Sequence, residues 1–245
     1  MAAQQKKSLT TKGKEFIRKV ANNNNLLEGK NRYGLPNSTI SNQSITFKSK
    51  VANNKTSSQF AEDLILYINQ FSSLKNIDAN IIAAQMYQES FFKVWNYSPT
   101  GALGITQFIP GTISFAINAG FLNNSDRDIL LNGVSGNIAG KGNRKQLHQN
   151  VIDNPELMIK AQVNLMAYIG ERNNNLASSS LFAYNRGSGL RSNNYPEIIR
   201  KSTLPIEEGI TYVSRIFKSL ETNFGYNIDS SVNDVASKGG YLADV

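Results

Sequence analysis

Apolar residues along this chain recur mostly at intervals of three and four, the spacing of one face of an α-helix. Phe60, Leu64, Ile65, Ile68 and Phe71 follow Thr56-Ser57-Ser58, which can supply an N-cap, and predict a long helix. Asp78 can cap the next, over Ala79 to Phe92, where Ile82, Met86 and Glu89 share a face. Pro110 suits the first turn of another that runs through Ile113, Phe115, Ala116 and Ile117. Pro155 opens a strong pattern to Arg172, with Leu157, Ala161, Leu165 and Tyr168 along one side. Leu176 to Tyr184 continues the series, and Ile206 to Leu220 closes it with Ile206, Ile210, Val213, Phe217 and Leu220 in one stripe. No convincing alternation of period two interrupts it, so the expected fold class is all-α, mainly helical.

Three stretches break the pattern. Residues 1–55 mix Asn22-Asn23-Asn24-Asn25 and further asparagines with Ser, Thr and Lys, and large apolar residues are sparse. Such a segment buries too little surface to offset its ordering entropy, so it reads as an extension outside the core, a linker or a docking arm. A short helix over Lys12 to Val20, with Phe16, Ile17 and Val20 clustered, fits inside it. Asn123 to Asn150 is polar and longer than an ordinary connection, which suggests a loop flanking a cleft. Its cations Lys141, Arg144 and Lys145 suit either a phosphate contact or a solvated surface. From 226 to 245 the chain is a polar tail with Gly239-Gly240-Tyr241 near its end. The main domain is then 56–225.

Composition narrows the chemistry. With no cysteine and one histidine, His148, neither a disulfide framework nor a thiolate or histidine-cluster metal site can be built, and no cofactor is expected. The net charge of +8 favours polyanionic surroundings, whether nucleic acid or an anionic wall polymer. Nucleic acid is disfavoured, because basic and aromatic residues do not interleave on any one element. No apolar run approaches a transmembrane span, and Met1-Ala2-Ala3-Gln4-Gln5-Lys6-Lys7 leads into polar sequence, so no signal peptide is expected.

A carboxylate late in an apolar helix is the candidate acid. On the face of Ile82 and Met86, Glu89 is expected to be partly desolvated, which favours its protonated form and general-acid work near neutral pH. The plain alternative is a surface glutamate in a last turn. Gly101-Ala102-Leu103-Gly104 offers little side-chain bulk where a backbone must turn or approach a ligand. Gln107 can both donate to and accept from sugar hydroxyls and acetamido groups.

The series Glu89-Ser90-x-Phe92, Ser98-Pro99-x-Gly101-Ala102-x-Gly104-Ile105-x-Gln107-x-x-Pro110-x-Thr112 resembles the soluble lytic transglycosylase domain. Ala183-Tyr184-Asn185-Arg186-Gly187 is similar to that family's Ala-Tyr-Asn-Ala-Gly motif, with Arg186 in place of a small residue. Glu208 and Tyr212-Val213 resemble its late helix, with Gly209 in place of threonine. The resemblance covers roughly 56 to 225. It implies a lysozyme-like helical domain, shared with goose-type lysozymes, with a groove for peptidoglycan strands. It gives Glu89 the catalytic role and Ser98, Gly101, Gln107, Tyr184, Asn185 and Glu208 places in substrate binding, Tyr184 beside the acid. The implied reaction cleaves the bond between N-acetylmuramic acid and N-acetylglucosamine with one glutamate and leaves a 1,6-anhydro end. Goose-type hydrolysis, or a non-catalytic structural virion protein with a wall-binding domain, are the alternatives. The expected setting is a bacteriophage virion acting on the host wall or periplasm, with residues 1–55 contacting other tail proteins.

Overall fold

The computed structural model of the chain describes residues 8–32, 44–138, 140, 143–187, 189, 190, 197, 201, 202 and 206–227. These residues form nine α-helices, and the helical class is as the periodicity predicts. In chain order they are α1 (Thr11–Asn23), α2 (Ser57–Lys75), α3 (Ala79–Ser90), α4 (Pro110–Asn118), α5 (Asn124–Leu130), α6 (Arg144–Asp153), α7 (Pro155–Arg172), α8 (Ala177–Arg186) and α9 (Ile206–Phe224). One antiparallel pair, β1 (Glu28–Arg32) with β2 (Ser44–Lys48), is the strand structure among the described residues and fits a mainly helical fold.

Two compact units share the chain. The first comprises Glu15–Phe71 and Glu89–Gln162. Within it the start of α2 is fixed by Thr56, whose Oγ1 accepts the Gln59 amide (3.3 Å) while Gln59 Oε1 accepts the Thr56 amide (2.9 Å), a reciprocal cap. Ile17, Leu26, Leu27 and Phe47 are buried together with Phe60, Leu64 and Ile68. The described part of 1–55 therefore does not stand outside the core as its asparagines suggest: few apolar residues suffice when nearly all are buried. The Leu26 carbonyl accepts the Val94 amide at 2.9 Å, and Gly29 pairs with Phe47 across the sheet. Trp95 explains that glycine, since a Cβ at residue 29 would lie 2.2 Å from its ring.

The expected loop 123–150 also carries structure. Asn123 and Asp126 cap each other at the start of α5, both bonds at 2.9 Å, and Lys160 closes on Asp126 at 2.6 Å. Asn150 of α6 donates to the Leu130 and Asn132 carbonyls (2.9 and 2.8 Å), ending α5. Lys141 lies outside the described residues.

The second unit comprises the described residues of Met1–Lys14, Ser72–Gln88 and Val163–Val245. Asp78 Oδ1 accepts the Asn80 amide at 2.8 Å and caps α3, as predicted. Ile82 and Met86 of α3 are fully buried, as are Ile169, Leu181, Phe182, Val213, Ile216, Phe217, Leu220 and Phe224. α8 packs on α9. Tyr226, at the head of the expected tail, donates to Asp78 and accepts from Asn80 Nδ2 (3.1 Å); burial and the adjacent carboxylate push its phenol well above the usual range. The tail beyond residue 227 lies outside the described residues. No described helix is long and apolar enough to cross a membrane.

Candidate active site

Glu89 is half-buried in the last turn of α3. Its neighbour Ser90 is fully buried and donates to the Ile105 carbonyl at 2.7 Å, which fastens the end of the helix to the next loop. The helix stops abruptly because Phe91 and Phe92 both take left-handed backbone angles (φ 55° and 62°), a conformation that costs a non-glycine residue about 1 kcal/mol or more. The reversal drops Phe92 into the interior edge-on against Phe16, ring centroids 6.4 Å apart. Phe91 stays 53% exposed, one of the few large apolar side chains on the surface. Lys93 Nζ sits 5.9 Å from the Phe91 ring and 5.4 Å from that of Trp95.

The carbonyl of Asn96 organises the loop that runs on to Pro110. It accepts the Gly104 amide (2.8 Å), the Gln107 side-chain amide (3.3 Å) and the His148 ring nitrogen Nε2 (3.2 Å). Gln107 is itself left-handed (φ 51°), and its Nε2 also donates to Gly104 O at 2.8 Å. Its amide nitrogen is thus engaged within the loop. Ser98 is engaged too: its hydroxyl accepts the Ala102 amide (2.9 Å) and shares a hydrogen bond with Thr100 (2.8 Å). Gly101 turns the bend with φ 90°. Gly104 needs its missing side chain, because a Cβ would lie 2.5 Å from Val151 Cγ1 of α6.

His148 supports this loop from beneath. It is fully buried, with its ring centroid 4.3 Å from Phe47 and 5.4 Å from Tyr97. Burial pushes its pKa from the ordinary 6.5 down to about 4, only partly opposed by hydrogen bonds to the backbone of Asn96 and Trp95. The imidazole is neutral at pH 7.

Tyr184, Asn185 and Glu208 belong to the second unit. The Tyr184 ring stacks on Tyr212 with centroids 6.4 Å apart and planes within 9°. Asn185 Oδ1 accepts from Arg186 Nε at 2.7 Å, and Arg186 Nη2 pairs with Glu208 at 2.7 Å. Arg186 therefore links the two, its side chain 8% exposed and that of Glu208 67%. Gly209 makes room for this: a Cβ there would lie 2.5 Å from the Phe182 ring and 2.9 Å from Arg186 Cγ. The two departures from the family motif, at 186 and 209, thus meet in space.

The predicted site residues fall into two groups. Ser98, Gly101 and Gln107 share the loop that comes after Glu89 in the chain, and a single arginine joins Asn185 to Glu208. A groove of about 420 Å³ bordered by Asn25, Glu28, Lys48, Lys55 and Thr56 contains none of them. Sequence reasoning passed over the Asn96 carbonyl, since a backbone group leaves no mark in the residue types. It also read His148 only as a lone histidine. No group of three or more His, Cys, Asp or Glu side chains among the described residues is placed to hold a metal ion.

A family model described as the transglycosylase SLT domain matches residues 66–197, over half of the chain. The chain belongs to that family, and Glu89, Ser98, Gly101, Gln107, Tyr184 and Asn185 lie inside the matched range. Membership implies an enzyme of the transglycosylase class whose substrate is peptidoglycan. No curated protein and no solved structure matches the chain.

Proposed function

We propose that the protein is a lytic transglycosylase that cleaves the N-acetylmuramic acid to N-acetylglucosamine bond with Glu89 as its one catalytic carboxyl group. What supports a single acid is the engagement of other carboxylates of its unit. Asp126 is paired with Lys160, Asp153 accepts the Lys50 amide, and Asp63 pairs with Lys55. No Asp or Glu occurs from Ser90 to Ser125. Ordinary glycoside hydrolysis uses two carboxylates, so a lone one works if the second nucleophile comes from the substrate.

In this reading the Glu89 carboxyl group gives its proton to the bridging oxygen as the anomeric C–O bond breaks. The 2-acetamido group of the muramic residue stabilises the positive charge. The resulting carboxylate takes the proton of the C6 hydroxyl, whose oxygen bonds to the anomeric carbon. Atoms balance without water: one glycosidic bond is exchanged for one intramolecular acetal bond between C1 and O6, and Glu89 ends protonated. Gln107 offers its amide oxygen to the sugar, and Tyr184 and Asn185 are glycan-binding residues in this reading.

Glu89→Gln is expected to lower wall lysis roughly 100- to 10,000-fold, the usual worth of a general acid, while circular dichroism keeps its helical signal. Unchanged lysis by this variant defeats the assignment. Mass spectrometry of the wild-type digest is expected to show 1,6-anhydromuramoyl ends. Hydrated reducing ends would indicate goose-type hydrolysis instead, and a zymogram without clearing a structural role. A place in a bacteriophage virion is the setting we favour, supported by the exposed polar run Asn22 to Asn25 as an assembly surface. Proteomics of purified particles tests it.

A further inference from the structure

Arg144, the first residue of α6, is a cation of the 123–150 stretch whose surroundings the fold makes specific. Its Nε is sealed from solvent and meets no hydrogen-bond acceptor among the described residues. Its head lies against the Gly101 bend: a Cβ at 101 would be 3.1 Å from Nη1 and 3.6 Å from Cζ, with the Tyr97 hydroxyl 3.9 Å from the same point. The bend has little to give it. Ser98 O accepts the Gly101 amide, Ala102 O accepts the Ser98 amide, and the Ser98 hydroxyl is engaged with Ala102 and Thr100. No described acid is paired with it, and in the same unit Asp126 pairs with Lys160, Asp128 with Arg127 and Asp153 with the Lys50 amide.

A partly buried guanidinium without a counter-charge is costly, and its fork of donors matches the two oxygens of a carboxylate. We infer that Arg144, held on the Gly101 bend, is a specificity-determining residue that binds a carboxylate of the wall substrate. The inference rests on the glycan-cleaving reading above. Two parts of the substrate carry that chemistry: the lactyl group of muramic acid when it bears no peptide, and the peptide stem. The small bend serves the same end, because a Cβ at 101 would crowd Nη1 at 3.1 Å and make the guanidinium give way by a few tenths of an ångström.

The test uses the full chain and two pairs of glycan strands. One pair is peptide-free, with lactyl carboxylates either free or converted to carboxamides. The other bears peptides whose carboxylates are either free or amidated. The wild type is expected to show a kcat/KM about ten-fold or more higher on the free member of one pair, the worth of one charge-assisted hydrogen bond, and that pair identifies the source. Arg144→Gln is expected to bring that ratio close to one, and Arg144→Lys to restore part of it. The wild-type ratio is also expected to shrink at high salt, a readout that needs no variant to fold. A wild type indifferent to amidation, or an Arg144→Gln variant slowed equally on both members, overturns the inference, since a purely structural clamp would do the latter. A wild type that cleaves none of the strands overturns the enzymatic reading along with it, which separates the two failures.

Discussion

Protonating His148 inside the fold would place a cation between Phe47 and Tyr97, and its pKa falls to about 4 for that reason. The unfolded chain takes up the same proton near 6.5, so between these values the unfolded state binds more protons. Stability is therefore full above pH 6.5 and declines as pH falls toward 4, by about 3 kcal/mol in all. Denaturant titrations from pH 7 to 4.5 should show the loss. Because the chain has one histidine, its imidazole NMR signal is unambiguous, and a midpoint near 6.5 in the folded protein would contradict the account. Gly104 makes a second case. Gly104→Ala forces a Cβ into Val151 and into a left-handed backbone at φ 70°, and is expected to lower stability by about 2 kcal/mol or more in the same titration. The sequence made the positions of Glu89 and Gln107 readable because their spacing follows helix and turn chemistry. It left unreadable that Gln107 and His148 meet on one backbone carbonyl, since 41 residues of chain separate them and the shared group belongs to Asn96.

At the level of elements, helices with a proline, a capping side chain or a long stripe were legible: α2, α3, α4 and α7 start within a residue of where the pattern puts them. α5 was missed although Asn123 and Asp126 stand at capping-box spacing, because seven residues show no stripe of their own. Asn123→Ala is expected to cost about 1 kcal/mol and to loosen Asp126 from Lys160, read as lost amide protection over α5. β1 was missed for a different reason. Glu28–Arg32 has no strand-forming residues, and it pairs because Leu26 and Leu27 are anchored beside it and Phe47 is buried across from it. The seam of α8 and α9 depends on one absent side chain. Gly209→Ala is expected to destabilise by about 1–3 kcal/mol through Phe182 and Arg186. Pairing it with Arg186→Ala should recover only part of the loss, because the Phe182 ring remains; full additivity in the double-mutant cycle would refute the contact.

For the whole molecule, the family match begins at residue 66, yet the first unit is closed by what precedes it. Ile17, Leu26, Leu27, Phe47, Phe60 and Leu64 are all buried. A fragment confined to residues 66–197 is expected to lack cooperative thermal unfolding, while residues 8–227 keep it. The asparagine content of the N-terminal part hid this, since Asn22 to Asn25 are exposed while Ile17, Leu26, Leu27 and Phe47 are interior. Trp95 carries a practical consequence. It is the chain's only tryptophan, its indole N–H is bonded to the Asn25 carbonyl at 2.9 Å, and it lies flat where Gly29 leaves space. Tryptophan emission from the native protein, excited beyond the tyrosine absorption band, therefore comes from one chromophore seated at the root of the hairpin. A red shift that precedes loss of the far-ultraviolet signal would time the peeling of that segment from its seat, without any dye attached.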